Sequence, residues 1–160
     1  MTAINVSSTA EFVQLDVIVS GTFATPALAL AEVANVMSIP CMQDVTVNAS
    51  PGSFSWQQLD SLSEKIAMTP STNSISLNMV VDDTIFFDGA NSTAGIFDIT
   101  NDKTLLYFRL YWQGSSSGDR YIEGQGYFSG VAPTVSPGSP VWVSPLEIMV
   151  DGSFTSGTVA

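Results

Sequence analysis

Residues 104–113 read TLLYFRLYWQ and carry the clearest strand pattern of the chain. Because successive side chains of a β-strand point to opposite faces, Leu106, Phe108 and Leu110 share one face. The alternate positions share the other face and include Tyr107, which is equally bulky. Two bulky faces predict a strand that is covered on both sides.

The same alternation recurs on both sides of this stretch and predicts about seven strands. The predicted strands are residues 11–20, 45–47, 74–81, 85–87, 104–113, 119–131 and 141–154. Between them, the glycine- and serine-rich residues 114–118 predict a hairpin loop, and the proline-rich residues 133–140 predict a rigid loop.

One segment carries the signals of a short helix. Residues 89–100 follow Asp88, a typical N-cap residue, and they place Ala90, Ala94 and Phe97 on one face of a helix. A glycine in the interior of this helix costs about 1 kcal/mol relative to alanine, so the helix depends on packing for its stability.

Residues 24–37 fit either a helix or a strand. The pair Thr25 and Pro26 is typical of a helix start, and the Ala, Leu and Glu content favours a helix. No C-cap glycine stands before Pro40, which counts against a helix that ends there. Both interpretations stay open.

A long polar segment, residues 48–73, has too little periodicity for a core element and is predicted to be a connection. Phe54 and Trp56 lie within it, and large apolar rings need a surface to cover them. The two rings therefore either fold back onto the body of the protein or dock onto a neighbouring molecule.

Taken together, the strands and the helix predict a mainly β fold, an antiparallel β-sandwich or rolled barrel with one short flanking α-helix. We expect a single domain over residues 1–160, with a flexible N-terminal arm at residues 1–10 and a C-terminal tail at residues 155–160. An apolar content of 45% is enough for a real core and argues against disorder.

The surface is poor in charge and that charge is unbalanced. Only 12% of residues are charged, about half the usual share, which favours a subunit covered by neighbours, although secreted β-proteins share this trait. The chain has fifteen carboxylates against four cations, a net charge of −11. No basic stripe exists to bind nucleic acid. The acidity either serves solubility alone or repels phosphate.

The sequence lacks the side chains of common catalytic and metal sites. It has no histidine, so Ser-His-Asp and Cys-His arrangements are excluded, and its single cysteine, Cys41, is expected to be a small buried apolar residue. Asp82 and Asp83 would point to opposite faces of a strand and would not converge. We therefore expect no enzyme activity, no metal and no cofactor.

Nothing in the sequence indicates a membrane location. No basic residue precedes the first apolar stretch, so it does not resemble a signal peptide. The longest weakly charged stretch, residues 24–37, is too short to span a bilayer. We expect a protein made and folded in a cytoplasm.

The order of the segments, over residues 28–154, resembles the tail-tube proteins of long-tailed bacteriophages and their Hcp-like relatives. The resemblance depends on the helix before the strand at residue 104, the return strand with Gly126 and Tyr127, and the last strand ending near Asp151. It also implies a strand near residues 30–39, which favours the strand over the helix there.

This resemblance implies a structural virion protein whose hexameric rings stack into a hollow tail tube, through which DNA passes without being bound. Its partners would be other copies of itself, the tape measure, the tail terminator and the baseplate or tip proteins. The family's inter-ring loop falls on residues 51–65 and suggests, as contact candidates, Phe54, Trp56, Asp60, Glu64 and Lys65. As acidic residues lining the lumen we consider Asp82, Asp119 and Glu123.

A second hypothesis is an acidic β-sandwich that binds carbohydrate. Exposed tryptophans are typical of sugar-stacking surfaces, and Trp56 and Trp142 are the candidates. Loss of glycan binding on replacement of either tryptophan would distinguish this function from a tube subunit.

Overall fold

A computed structural model describes residues 13–19, 35–59, 63–91, 93–112 and 114–160. This part of the chain contains nine strands: β1 (Gln14–Val19), β2 (Met37–Ser38), β3 (Met42–Gln57), β4 (Glu64–Val80), β5 (Leu106–Tyr111), β6 (Arg120–Ser129), β7 (Thr134–Ser136), β8 (Ser139–Val150) and β9 (Thr155–Thr158). A π-helical turn, Thr84–Asp88, and one α-helix, α1 (Ile96–Asn101), separate β4 from β5.

The strands form one antiparallel sheet in the order β2-β1-β5-β6-β8-β4-β3, with β7 added to β8 and β9 added to β6. The mainly β, antiparallel fold with a short flanking helix is thus confirmed, with two more strands than the sequence predicted.

The sheet curls around a main core, and a small second cluster, Ile18, Val36 and Tyr107, lies on the other face of β1 and β5. Val17 pairs with Phe108 across β1 and β5, and Phe128 pairs with Ile148 across β6 and β8. All four side chains belong to the same buried cluster, so β1, β5, β6 and β8 present the same face to the main core. Gly126 makes this possible at β6, because a Cβ atom there would overlap the backbone of Met149.

The helical segment covers the inner side of the curled sheet. Ile96 and Ile99 of α1 are buried in the main core cluster, and so is Phe86 of the π-helical turn. The outer, convex side of the sheet is thereby left free of helices in the described part of the chain.

The helix begins later than the sequence predicts. The predicted strand at residues 85–87 is the π-helical turn, and Asp88 ends that turn instead of capping a helix. Gly89 follows with a φ of +76°, a conformation that favours glycine. Gly95 is the N-cap of α1 with an extended backbone, so the expected cost of a glycine inside a helix does not arise.

The segment 48–73 departs most from the prediction. Instead of an irregular connection it forms most of β3 and β4, which pair from Met42 and Met79 to Gln57 and Glu64. The prediction was wrong because both sides of the outer part of this hairpin face solvent. No alternation of apolar and polar residues therefore marks its strands.

Two further segments are more ordered than predicted. The proline-rich residues 133–140 contain β7 and the start of β8, which form a short hairpin. The expected C-terminal tail is wrong at Thr155–Thr158, which is strand β9. Because β8 ends at Val150, the first half of β6 would have an unpaired edge, and β9 pairs with it.

Some expectations fall outside the described residues. These are the N-terminal arm at residues 1–10, the choice between helix and strand over residues 24–34, and the position of Asp60. Cys41 is described, and the expectation that it is buried is wrong: it is exposed at the start of β3, with a φ of +54°.

Candidate functional site: a hairpin arm, an aromatic cleft and a polar sheet face

The outer part of the β3–β4 hairpin, residues 50–57 and 64–72, projects beyond the core, and we call it the hairpin arm. Its register shifts between Ser50 and Gly52, where Pro51 has no N–H to donate to the sheet. Beyond this point every residue of both strands is exposed except Gly52. Eight residues of extended chain reach roughly 26 Å, so the arm is long relative to the body.

Both faces of the hairpin arm carry exposed apolar side chains. Phe54 stacks on Trp56 with ring centroids 5.9 Å apart, and the two side chains are 60% and 39% exposed. Lys65 is the register partner of Trp56 and therefore lies on that same face. Ile66 and Met68 lie on the opposite face and are 67% and 66% exposed.

These features are typical of an element that binds another molecule. A two-stranded hairpin alone in water is marginally stable, and large apolar side chains exposed on it lose the stabilisation that burial gives. In the described residues nothing covers either face. The arm is thus suited to insertion between other surfaces.

A second exposed apolar surface lies at the other end of β4. A cleft of about 320 Å³ is lined by Val81, Asp83, Phe86, Phe87, Pro133 and Trp142, and we call it the aromatic cleft. Phe87 and Trp142 are about half exposed. Phe97 extends the surface, because its ring centroid lies 6.0 Å from that of Phe87.

The hairpin arm and the aromatic cleft lie at opposite ends of β4. The arm contains the first residues of this seventeen-residue strand, whereas Val81 of the cleft directly follows its last residue. Val81 is held there by a hydrogen bond from its N–H to the carbonyl oxygen of Trp142, 2.9 Å long. Lys65, near the tip of the arm, is roughly 50 Å from Val81 along the strand.

The convex side of β3, β4 and β8 is mostly polar, although Met149 is exposed on it, and we call it the polar face. A row of register partners crosses it from Thr46 through Ser76 and Glu147 to Ser129 of β6. Asp44 lies two residues before Thr46 on the same face of β3, and its register partner is Asn78. None of its positions carries a lysine or arginine, so the polar face is purely acidic.

A different group of side chains occupies the convex side of β5 and β6. Arg109 donates from Nη2 to Oε2 of Glu123 at 2.7 Å and from Nε to the same oxygen at 3.0 Å. Its guanidinium lies 4.2 Å from the ring centroid of Tyr121. Burial alone lowers the pKa of Arg109, but hydrogen bonds to Tyr111 and Glu123 and the charge of Glu123 raise it above its ordinary value.

The sequence-predicted acidic residues do not come together. Asp82 accepts a hydrogen bond from the N–H of Ile85 and caps the π-helical turn. Asp119 accepts one from the N–H of Ser116 in the loop before β6. Since Asp82 follows β4 and Asp119 precedes β6, the register places them at opposite ends of the sheet. Glu123 is buried and its charge is neutralised by Arg109.

Two acidic residues of the polar face, Asp44 and Glu147, were not among the residues predicted to line the lumen. Each is adjacent in sequence to a residue that points towards the core, Val45 and Leu146 respectively. Because adjacent strand residues point to opposite faces, the sequence already indicated that both carboxylates point outward. The Arg109–Glu123 pair also left a signal, because a cation on a strand predicted to be covered on both sides needs a buried partner.

Within the described ranges, no group of three or more His, Cys, Asp or Glu residues is arranged to hold a metal ion. Every buried side-chain nitrogen or oxygen there has a hydrogen-bond partner. No helix in this part of the chain is long and apolar enough to cross a membrane.

No family model matches the chain, and no curated protein matches it by sequence. Several solved structures are nevertheless similar to it in fold. The fold is similar to that of a chain in the tail of an empty gene transfer agent particle refined with helical and C6 symmetry, with a TM-score of 0.64, 11% identity, and coverage of 95% of this chain and 100% of that one.

A chain from the virion of a native gene transfer agent particle is also similar, with a TM-score of 0.59 and 12% identity. This likeness covers 93% of the present chain and 99% of the other. The protein therefore has, over nearly its whole length, the fold of a chain of a phage-like tail particle.

Proposed function

We propose that this protein is a structural subunit of a phage-like tail, located in the virion, and that hexameric rings of it stack into a hollow tube. The observation that carries the proposal is the likeness of fold over 95% of the chain to a chain of a tail particle with C6 symmetry. The hairpin arm supports it independently, because its two uncovered apolar faces require neighbouring molecules.

In the proposed tube, the hairpin arm makes the contact between rings. Phe54, Trp56 and Lys65 share the face that carries this contact, and Glu64 begins the second strand of the arm. Asp60, the remaining predicted contact residue, belongs to the connection between the strands, outside the described residues. The arm is long enough to leave its own ring and reach the next one.

The polar face lines the lumen in this proposal. Apart from the exposed Met149, its side chains are mostly polar, and it bears Asp44 and Glu147 but no cation. Six copies with a net charge of −11 each give a ring of −66, and a lumen that carries part of this charge repels phosphate. DNA would pass through such a tube without being held.

Among the predicted lumen candidates, Asp82 and Asp119 are kept as positions at the two ends of the sheet. Glu123 is not kept, because its buried ion pair with Arg109 leaves no free charge to act on DNA. The further partners of the proposed tube are the tape measure, the tail terminator and the baseplate or tip proteins, with assembly in the host cytoplasm.

The carbohydrate-binding hypothesis has less support. Trp56 belongs to the hairpin arm and Trp142 to the aromatic cleft, at opposite ends of β4, so they do not form one stacking platform. A saturable response of the purified protein on a glycan array would revive this hypothesis.

Negative-stain electron microscopy of the concentrated protein at near-neutral pH tests the tube. We expect hollow tubes or six-fold rings. The proposal would be contradicted if the protein stays monomeric at high concentration and antibodies raised against it detect none of it in virions.

A further inference from the structure

We propose that the hairpin arm of one copy docks into the aromatic cleft of a copy in the next ring. Its Phe54–Trp56 face would lie against Phe87 and Trp142, with Lys65 beside Asp83. This inference rests on the proposed function and adds to it the surface that receives the arm.

The two surfaces have complementary chemistry. The arm's face combines two stacked rings with one cation, Lys65. The cleft combines exposed rings with one carboxylate in its lining, Asp83. Aromatic rings pack well against each other, and a cation and a carboxylate at the edge fix the orientation.

Charge makes this pairing selective. Copies with a net charge of −11 repel each other wherever carboxylates meet, so a contact that brings a cation to a carboxylate is strongly preferred. Of the four cations, Arg109 is already paired with Glu123. Lys65 is the cation of the hairpin arm, and no described carboxylate forms an ion pair with it.

Geometry favours contact between successive copies. Because the arm and the cleft lie at opposite ends of β4, the arm of a copy displaced along this strand reaches the cleft of the next. Such a contact joins two different surfaces, and it repeats without closing, which generates a filament. An arm folded back onto its own cleft is excluded by the length of the strand.

The size of the contact predicts that one arm binds weakly, whereas six arms that bind together do so tightly. Burying two aromatic rings removes about 300–500 Å² from solvent, less than the roughly 800 Å² per partner of a standard interface. Six arms that bind at once raise the overall affinity far above that of one arm. Free subunits would then remain apart, whereas rings would stack.

Photo-crosslinking within assembled tubes tests the inference directly. The photoreactive residue p-benzoylphenylalanine replaces Phe54, and the cross-linked peptides are identified by mass spectrometry. We expect cross-links to residues 81–87 and 133–142 of another copy. Tubes in which the cross-links map elsewhere would overturn the inference alone, whereas the absence of tubes from the unmodified protein would overturn the proposed function with it.

A charge exchange provides the second test. Lys65→Glu and Asp83→Lys should each raise the protein concentration needed for tubes at least about tenfold, and the double variant should restore assembly. Arg120→Glu, which changes the charge equally outside both surfaces, is the control and should assemble normally. Folded single variants that assemble like the unmodified protein, or a folded double variant without recovery, would contradict the docking.

Discussion

Arg109 and Glu123 face each other on β5 and β6 and form an ion pair 2.7 Å long, with side chains only 12% and 9% exposed. Removing one partner of such a buried pair leaves an uncompensated charge. Glu123→Gln should therefore lower the free energy of unfolding by about 3 kcal/mol, as measured by urea denaturation. Asp44→Asn, an exposed carboxylate on β3, is the matched control and should change it by less than about 0.5 kcal/mol.

The stabilising effect of Arg109 should not depend on pH near neutrality. Its pKa is raised above its ordinary value in the folded protein, so its contribution is fully present below that ordinary value and is lost only as the pH rises through the folded pKa. Between about pH 6 and pH 9, unfolding of Tyr121→Leu, which removes the ring beside the guanidinium, should differ from that of the unmodified protein by a constant amount. A difference that grows across this range would contradict this assignment.

Gly126 is where β6 approaches β8 most closely. A Cβ atom there would overlap the backbone of Met149, which cannot move aside as a flexible side chain can. Gly126→Ala should lower the free energy of unfolding by about 2 kcal/mol or more. Gly138→Ala is the matched control, since its Cβ would meet no atom within 4 Å, and it should change thermal unfolding little.

Stability and assembly should separate in the hairpin arm. Because Phe54 and Trp56 are exposed in the subunit, replacing both with serine should change the free energy of unfolding by less than about 1 kcal/mol. The same variant should form no tubes in electron micrographs. The exposed Ser117, in the loop before β6 and outside the hairpin arm, is changed to alanine as a control and should leave assembly intact. Tubes of normal length from the serine variant would show that the arm does not join rings.

The polar face can be tested with DNA. Asp44→Lys combined with Glu147→Lys should give tubes that retain short duplex DNA in a gel-shift assay and release it as salt is raised. Asp102→Lys, just after α1 and on the inner side of the sheet, makes a smaller change in charge away from the polar face and should not retain DNA. Equal retention by both variants would place the lumen elsewhere.

The strands with one buried and one exposed side, or with two buried sides, could be predicted from the amino-acid sequence. The alternation around Phe108 predicted β5 with both faces covered, and Tyr107 and Leu106 are both buried. Ile75, Leu77 and Met79 likewise predicted the inward positions of β4. In these strands the hydrophobic effect acts on each side chain locally, so the pattern and the structure agree.

The remaining features depend on contacts between distant parts of the chain. The hairpin arm has no buried side, and so no periodic signal distinguished its strands from a loop. The helical start at Gly95 depends on close packing against the backbone of Phe87, which no local pattern encodes. The pairing of Glu123 with Arg109 depends on the register of β5 and β6. Whether a charged side chain is paired depends on the residue opposite it in the sheet, and the fold alone sets which residue that is.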